Sequence, residues 1–342
     1  MSLSNGLELT GLHHVSSITA NAAGNRDFYT RALGMRIVKK TVNQDNTTSY
    51  HLFYADKQGA AGTDVTYFDI PMSGANHAGS GETQEVGLRV KGEDSLTFWE
   101  GRFDKLGISY GPRSTRAGYA ALPFTGPEGD RLALIAEGND EPVPAGEPWD
   151  QSAVPVEHAI VGLGIFTIAS GRPESTLRVL TEIMGFRVKS DTPDADNAEN
   201  RTVVLETGPG GSGATLIVRA IPGASLARLG RGGVHHIAFR VPTFEEHEKW
   251  TTYLNEQGLH ATPVIDRFYF KSIYFREPGG VLYELATDGP GFASDESIET
   301  MGTHLALPPF LESQREQIEA NLAPLDTSLE LTTSEYVSLV KS

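Results

Sequence analysis

The sequence predicts an α+β protein made of four strand–helix–strands units, or βαβββ modules, arranged as two duplicated halves. Three observations carry that expectation. A constant offset of 151 positions lays one half on the other, with Gly11 on Gly162, Gly34 on Gly185, Gly62 on Gly213, Trp99 on Trp250 and Gly107 on Gly258. Every quarter opens on a short segment with the period of two expected of a strand, as in HHVSSITA or HHIAFRVP. A helical stretch follows, and then two or three more strand-like segments separated by turns such as GPEG and EPGG.

Taken in order, the modules span 9–72, 82–138, 156–223 and 232–290. The segment MSGANHAGSG (72–81) joins the first two. GNDEPVPAGEPWDQSAVP (138–155), rich in proline and acids, joins the halves, so that the expected domains are 1–150 and 151–290. In the fourth module FEEHEKWTTYLNEQG (244–258) reads as a helix ending on Gly258 as its C-terminal cap. An extension, 291–342, follows, with a helix expected over LESQREQIEANL (311–322).

The composition of these 342 residues excludes several functions. There are 28 basic against 44 acidic residues, a net charge of −16, and that field repels phosphate backbones and anionic membranes. Without cysteine there is no disulfide, thiolate ligand or cysteine nucleophile. No apolar run approaches the roughly 20 residues of a membrane span, and MSLSNGLELT lacks the basic and apolar regions of a signal peptide, so a cytoplasmic location is expected. GPGGSGAT (208–215) lacks the Lys-Ser/Thr of a phosphate-binding loop and corresponds to the strand-connecting KQGAAGTD (57–64), so no organic cofactor is implied.

Two histidine pairs stand out, in GLHHVSS (11–17) and GVHHIAF (233–239). In a regular strand the members of a pair face opposite sides, so at most one of each can point at a given centre. Glu284 is a third candidate, because it interrupts the apolar Val281, Leu282, Tyr283 and Leu285, where a carboxylate needs a cation or a partner. The duplication separates a site from scaffold: His14 falls on Ile165, His236 on Glu85 and Glu284 on Ala133. One His, His, Glu constellation therefore exists per chain. His51, His77, His158, His247, His260 and His304 are read as packing or surface residues. Two histidines and a carboxylate on one face of a metal are the signature of non-haem Fe(II) oxygenases, although Mn(II) and Zn(II) suit the same donors.

Over residues 9–290 this layout resembles the vicinal oxygen chelate superfamily, which contains the glyoxalases, the bleomycin-resistance proteins and the extradiol dioxygenases and curves its sheets around a metal. The segments LHHVSS, VKKTVN, YHLFYAD, GVHHIAFRV and FREPGGVLYELATDGPGF, with the tail LALPPFLESQREQIEANLAPL, resemble its hydroquinone-type ring-cleaving dioxygenases. The resemblance implies that the second histidine of each pair, His14 and His236, binds the metal with Glu284. Because Ile165 leaves the C-terminal half without a complete triad, the first and fourth modules are expected to pair. It also implies His235, Tyr274, Arg267 and His13 around the metal as proton-transfer and charge-stabilising groups. Arg267 maps onto Arg116, whereas Tyr274 maps onto Pro123 and His235 onto Gln84, so the last two are the stronger catalytic candidates. His13 is expected to face away from His14 unless the strand twists or bulges.

The expected activity is that of an Fe(II)-dependent extradiol-type dioxygenase opening the ring of a hydroquinone-like or catechol-like phenol with O2. The alternative within the superfamily is a glyoxalase, lyase or isomerase using Zn(II) or Mn(II). The partners are then a small aromatic substrate and O2, not nucleic acid or membrane; a homo-oligomer is compatible with the sequence.

Overall fold

The computed structural model describes residues 6–327 except 195, 196 and 198; positions 1–5 and the end of the C-terminal extension, 328–342, lie outside the described residues. The first module comprises β1 (Leu12–Thr19), α1 (Ala22–Asp27), β2 (Arg36–Asn43), β3 (Asn46–Ala55) and β4 (Asp64–Asp69). The second comprises β5 (Glu82–Lys91), α2 (Gly92–Leu106), β6 (Ser114–Arg116), β7 (Tyr119–Thr125) and β8 (Arg131–Glu137). The third runs through β9 (Ile160–Ser170), α3 (Pro173–Arg178), β10 (Arg187–Pro193), β11 (Arg201–Glu206) and β12 (Thr215–Ala220). The fourth contains β13 (Val234–Val241), α4 (Phe244–Glu256), β14 (Ile265–Asp266), β15 (Lys271–Arg276) and β16 (Leu282–Thr287).

Local chemistry accounts for the helices. α2 turns Leu96, Trp99, Phe103 and Leu106 into the core at helical spacing and stops at Gly107, whose φ of 69° suits the left-handed cap. α4 starts where the Thr243 side chain accepts from the Glu246 amide, with Glu245 and Glu246 in its first turn. α1 and α3 are short, and each runs into a π-helical turn, Phe28–Ala32 and Val179–Ile183, so the duplication extends to this detail.

The strands form two eight-stranded curved, mixed sheets in the orders β14-β15-β16-β13-β1-β4-β3-β2 and β10-β11-β12-β9-β5-β8-β7-β6. Each sheet thus takes one module from each half: the first pairs with the fourth, the second with the third. The seams are the antiparallel pairs β1·β13 and β5·β9. Within each module the first strand lies parallel to the last. The helix-facing sides share one large apolar core, and the opposite faces carry two smaller clusters, around Phe53, Tyr269 and Phe270 in the first sheet and around Ile165, Ile135 and Ile217 in the second.

The extension breaks the symmetry. The helix expected over 311–322 is two pieces, α5 (Pro309–Glu312) and α6 (Arg315–Asn321). They part at Ser313 and Gln314; serine competes poorly for a helix interior because its hydroxyl bonds the local backbone. The extension covers the edge strand β2: Lys40 bridges to Leu305, and Leu307, Leu311 and Ile318 pack on Val42. The equivalent edge β10 is exposed along most of its length, whereas β2 is buried along nearly all of it. Covering an edge strand removes a template for unwanted pairing.

Lys39, wholly buried on β2, is held by Asp295, at 2.7 Å, and Glu296 of the extension. The variant Asp295→Asn/Glu296→Gln should leave that ammonium uncompensated and cost roughly 3 kcal/mol in urea denaturation. Adding Lys39→Met should recover most of the loss; no recovery would mean that these ion pairs do not hold the extension on β2.

Candidate metal centre

The β1·β13 seam places the histidines. Its register runs Leu12↔Phe239, His14↔Ala238, Val15↔Ile237, Ser16↔His236 and Ser17↔Val234, with irregularities at His13 and His235. Each is an extra residue in the ladder, and a bulge re-aims the side chain it carries. The bulge at His13 is the exception under which that residue was expected to turn towards His14: His13 Nδ1 lies 2.9 Å from His14 Nδ1, and His235 Nδ1 lies 2.8 Å from His236 Nδ1. On the neighbouring strands Glu284 pairs in register with Ala238 of β13 and with Tyr274 of β15.

The structure brings His14, His236 and Glu284 together. His236 Nε2 is 2.9 Å and His14 Nε2 3.1 Å from Glu284 Oε2, and the two imidazole nitrogens are 3.2 Å apart. All three residues are buried, and neither Glu284 oxygen has an aligned hydrogen-bond donor. Burial pushes the Glu284 carboxyl up, but the two imidazoles beside it overcome that and hold it well below its usual range. Burial pushes the His236 imidazole down, against the pull of Glu284.

With both imidazoles neutral and protonated on Nδ1, the triangle becomes a set of lone pairs facing one point, a buried anion and two imidazole nitrogens. Donors at about 2.1 Å from a metal and at right angles to one another lie about 3.0 Å apart, which the observed triangle matches. The three residues can hold a divalent metal, and they are the one group with ligand spacing among the described residues.

The bulged histidines fix the protons. His13 Nε2 lies 3.0 Å from the Thr287 carbonyl, an acceptor only, so this nitrogen carries the hydrogen. Burial and the neighbouring His14 push the His13 pKa down to about 3, so the ring is neutral and its Nδ1 is an acceptor. His14 Nδ1 must then donate, so that in the neutral ring Nε2 is the nitrogen left bare towards the triad. His235 is likewise neutral, pushed down to about 4 mainly by burial. It does not line the pocket at the triad; it borders a separate cavity of about 290 Å³ with Arg276 and Val281.

Tyr274 and Arg267 do line the triad pocket, with Phe53, Phe68 and Phe270 as aromatic walls. The Tyr274 ring stands edge-on to His236, centroids 5.5 Å apart. Burial and the Glu284 charge push its phenol up, so the proton stays on at neutral pH. The Arg267 guanidinium lies 5.6 Å from the centre of the Tyr274 ring and grips Asp45 of the β2–β3 turn at 2.9 and 3.2 Å. An anion can engage Arg267 fully only by displacing Asp45. His51, read from sequence as packing, also lines this pocket.

The mirrored position in the second sheet has lost the chemistry. Ile165 and Ala133 sit in an apolar cluster, and Glu85 is paired with Arg116 at 2.6 and 2.9 Å. Arg116, the counterpart of Arg267, thus supplies the positive charge beside the remaining carboxylate. The cleft there measures about 810 Å³, against about 40 Å³ beside the triad.

In metal-free protein His13 should make stability depend on pH. Its folded pKa of about 3 lies below the ordinary 6.5, so the unfolded chain takes up the extra proton first. Stability is then lost as pH falls from 6.5 towards 3, at up to about 1.4 kcal/mol per unit. Between pH 7 and 5, His13→Asn should lose about 2 kcal/mol less than the wild type in urea denaturation. Equal losses would place His13 in contact with solvent.

Known proteins resemble this chain. The model of the Glyoxalase/Bleomycin resistance protein/Dioxygenase superfamily matches residues 11–134 and 162–285, one block in each half. MhqA of Bacillus subtilis (strain 168), provisionally named a ring-cleaving dioxygenase, is 42% identical over 319 residues, covering 93% of this chain and 100% of MhqA. The chlorohydroquinone/hydroquinone 1,2-dioxygenase of Sphingobium indicum is 29% identical, over 90% of this chain and 94% of its own. A crystal structure of a protein from Bacillus subtilis, provisionally described as a dioxygenase, superposes with a TM-score of 0.85 at 34% identity, covering 94% of this chain and 99% of that one. With four modules, paired sheets and a matching family model in both halves, the chain belongs to the glyoxalase/bleomycin resistance protein/dioxygenase superfamily.

Proposed function

We propose that this protein is a cytoplasmic Fe(II)-dependent dioxygenase that opens the ring of a hydroquinone-like phenol with O2. The observation that carries the reading is the buried His14–His236–Glu284 triangle facing a pocket walled by Phe53, Phe68, Phe270 and Tyr274. The names of the relatives support the same class of reaction. A ferrous ion held by those three residues would supply open coordination positions and a redox electron for a phenolate and O2.

The chain's own residues divide the remaining work. In its neutral form His14 presents a bare Nε2 because His13 accepts the hydrogen bond of its Nδ1, and His235 lies against the Nδ1 of His236 in the corresponding place. His13 and His235 act through the ligands, as outer partners of metal-binding histidines do. Tyr274 keeps its phenolic proton beside His236 and is the group placed to deliver it to the substrate. Arg267 offers charge to an anionic intermediate once Asp45 is displaced. The free volume of about 40 Å³ is well below the roughly 150 Å³ that admits a benzene ring, so the pocket must widen to bind one.

Oxygen uptake by ferrous-loaded protein with hydroquinones is the direct test. Uptake is expected; its absence, with turnover of a non-aromatic substrate by Zn(II)- or Mn(II)-loaded protein, would move the reading to a glyoxalase, lyase or isomerase. Changing His14, His236 or Glu284 to Ala should abolish metal binding and turnover together while the fold survives. Tyr274→Phe should retain metal but lose turnover by roughly 10²–10⁴-fold. His235→Ala should weaken metal binding by roughly 10–100-fold. Full metal and turnover in His14→Ala would overturn the assignment.

A further inference from the structure

His51 on β3 is the third imidazole bordering the triad pocket. Its ring lies between Phe53 and Phe68, with centroids 4.0 and 4.2 Å away. The Phe68 ring in turn lies 6.4 Å from the His236 ring, so one aromatic wall of the pocket neighbours both His51 and a histidine of the triad. His51 Nε2 is 2.9 Å from Thr66 Oγ1, which is 2.7 Å from Ser16 Oγ. That chain fixes the ring's rotation and leaves Nδ1 without a hydrogen-bond partner among the described residues.

We propose that His51 is the specificity-determining residue that receives the ring hydroxyl para to the one facing the triad, so that the site selects hydroquinones over phenols lacking that group. The proposal rests on the ring-cleavage reading above. A neutral imidazole nitrogen is either a donor or an acceptor, and a phenolic hydroxyl satisfies both. Burial holds the His51 ring neutral, well below its ordinary pKa.

The duplication argues that this is not inherited scaffold. The offset carries His51 to Thr202 and Phe68 to Arg219, and Thr202 pairs with Arg219 as His51 pairs with Phe68. It carries Thr66 to Ile217, which has no hydroxyl. The hydroxyl chain and its imidazole therefore occur only in the sheet that carries the triad.

The test is calorimetric binding of hydroquinone and of 4-methylphenol to anaerobic ferrous-loaded wild type, His51→Phe and Thr66→Val. Phenylalanine fills the slot between the two rings, and valine removes the hydroxyl that orients His51. The wild type should bind hydroquinone about tenfold tighter than 4-methylphenol, the worth of one hydrogen bond. In His51→Phe that ratio should fall to near one with 4-methylphenol binding unchanged, and Thr66→Val should lie between. A wild type without the preference, or a ratio unaltered in His51→Phe, overturns the proposal. Should His51→Phe not fold, an unaltered ratio in Thr66→Val does so. Oxygen uptake is measured on the same wild-type preparation: its absence removes the ring-cleavage reading, while the binding ratio still judges His51.

Discussion

The carboxylate of Glu284 is wholly buried between two imidazoles with no donor aligned on either oxygen. Left alone, such a charge in an apolar strand would cost several kcal/mol, and a divalent cation held with the two imidazoles could offset it. Glu284 lies on β16, His236 on the adjacent β13, and His14 on β1, which belongs to the other end of the chain. The triangle exists only because the seam β1·β13 joins the first module to the fourth. Everything that aligns this seam, including its two bulges, serves the geometry of three atoms.

The bulges give the centre a local two-fold character. Each histidine of the triangle is preceded by a histidine that contacts its Nδ1, and each of those preceding residues is the extra one in its strand. The symmetry then ends: His13 is anchored to the Thr287 carbonyl, whereas His235 borders a separate cavity. The second sheet has the same topology and keeps the arginine, but at Arg116 that side chain neutralises Glu85. With isoleucine and alanine at the other two positions, the cleft there is stabilised by an ion pair and apolar packing. Duplication provided two equivalent seams, and one retained the donors.

Much of this was legible in the sequence because duplication acts as an internal control. The offset of 151 separated His14, His236 and Glu284 from residues that both halves need, and the pairing of first and fourth modules followed from Ile165. The bulges were not legible: neither HHVSS nor HHIAF contains a glycine or proline to mark an extra residue, and strict alternation turned His13 the wrong way. His51 escaped notice because its partners, Thr66 and Phe68, are brought beside it only by strand pairing. The grip of Asp45 on Arg267 spans 222 positions and has no local signature. The extension's role was hidden likewise, since Lys39 gives no sign of meeting Asp295 and Glu296.

The measurement that bears most directly on this account is a crystal structure of iron-loaded protein with anomalous data collected at the iron edge. The account predicts one strong peak per chain, at about 2.0–2.2 Å from His14 Nε2, His236 Nε2 and a Glu284 oxygen. No peak should lie beside Glu85 and Arg116. A peak away from the triangle, or a second one of equal height in the mirrored cleft, would contradict the claim that one seam of the duplicated fold holds the metal.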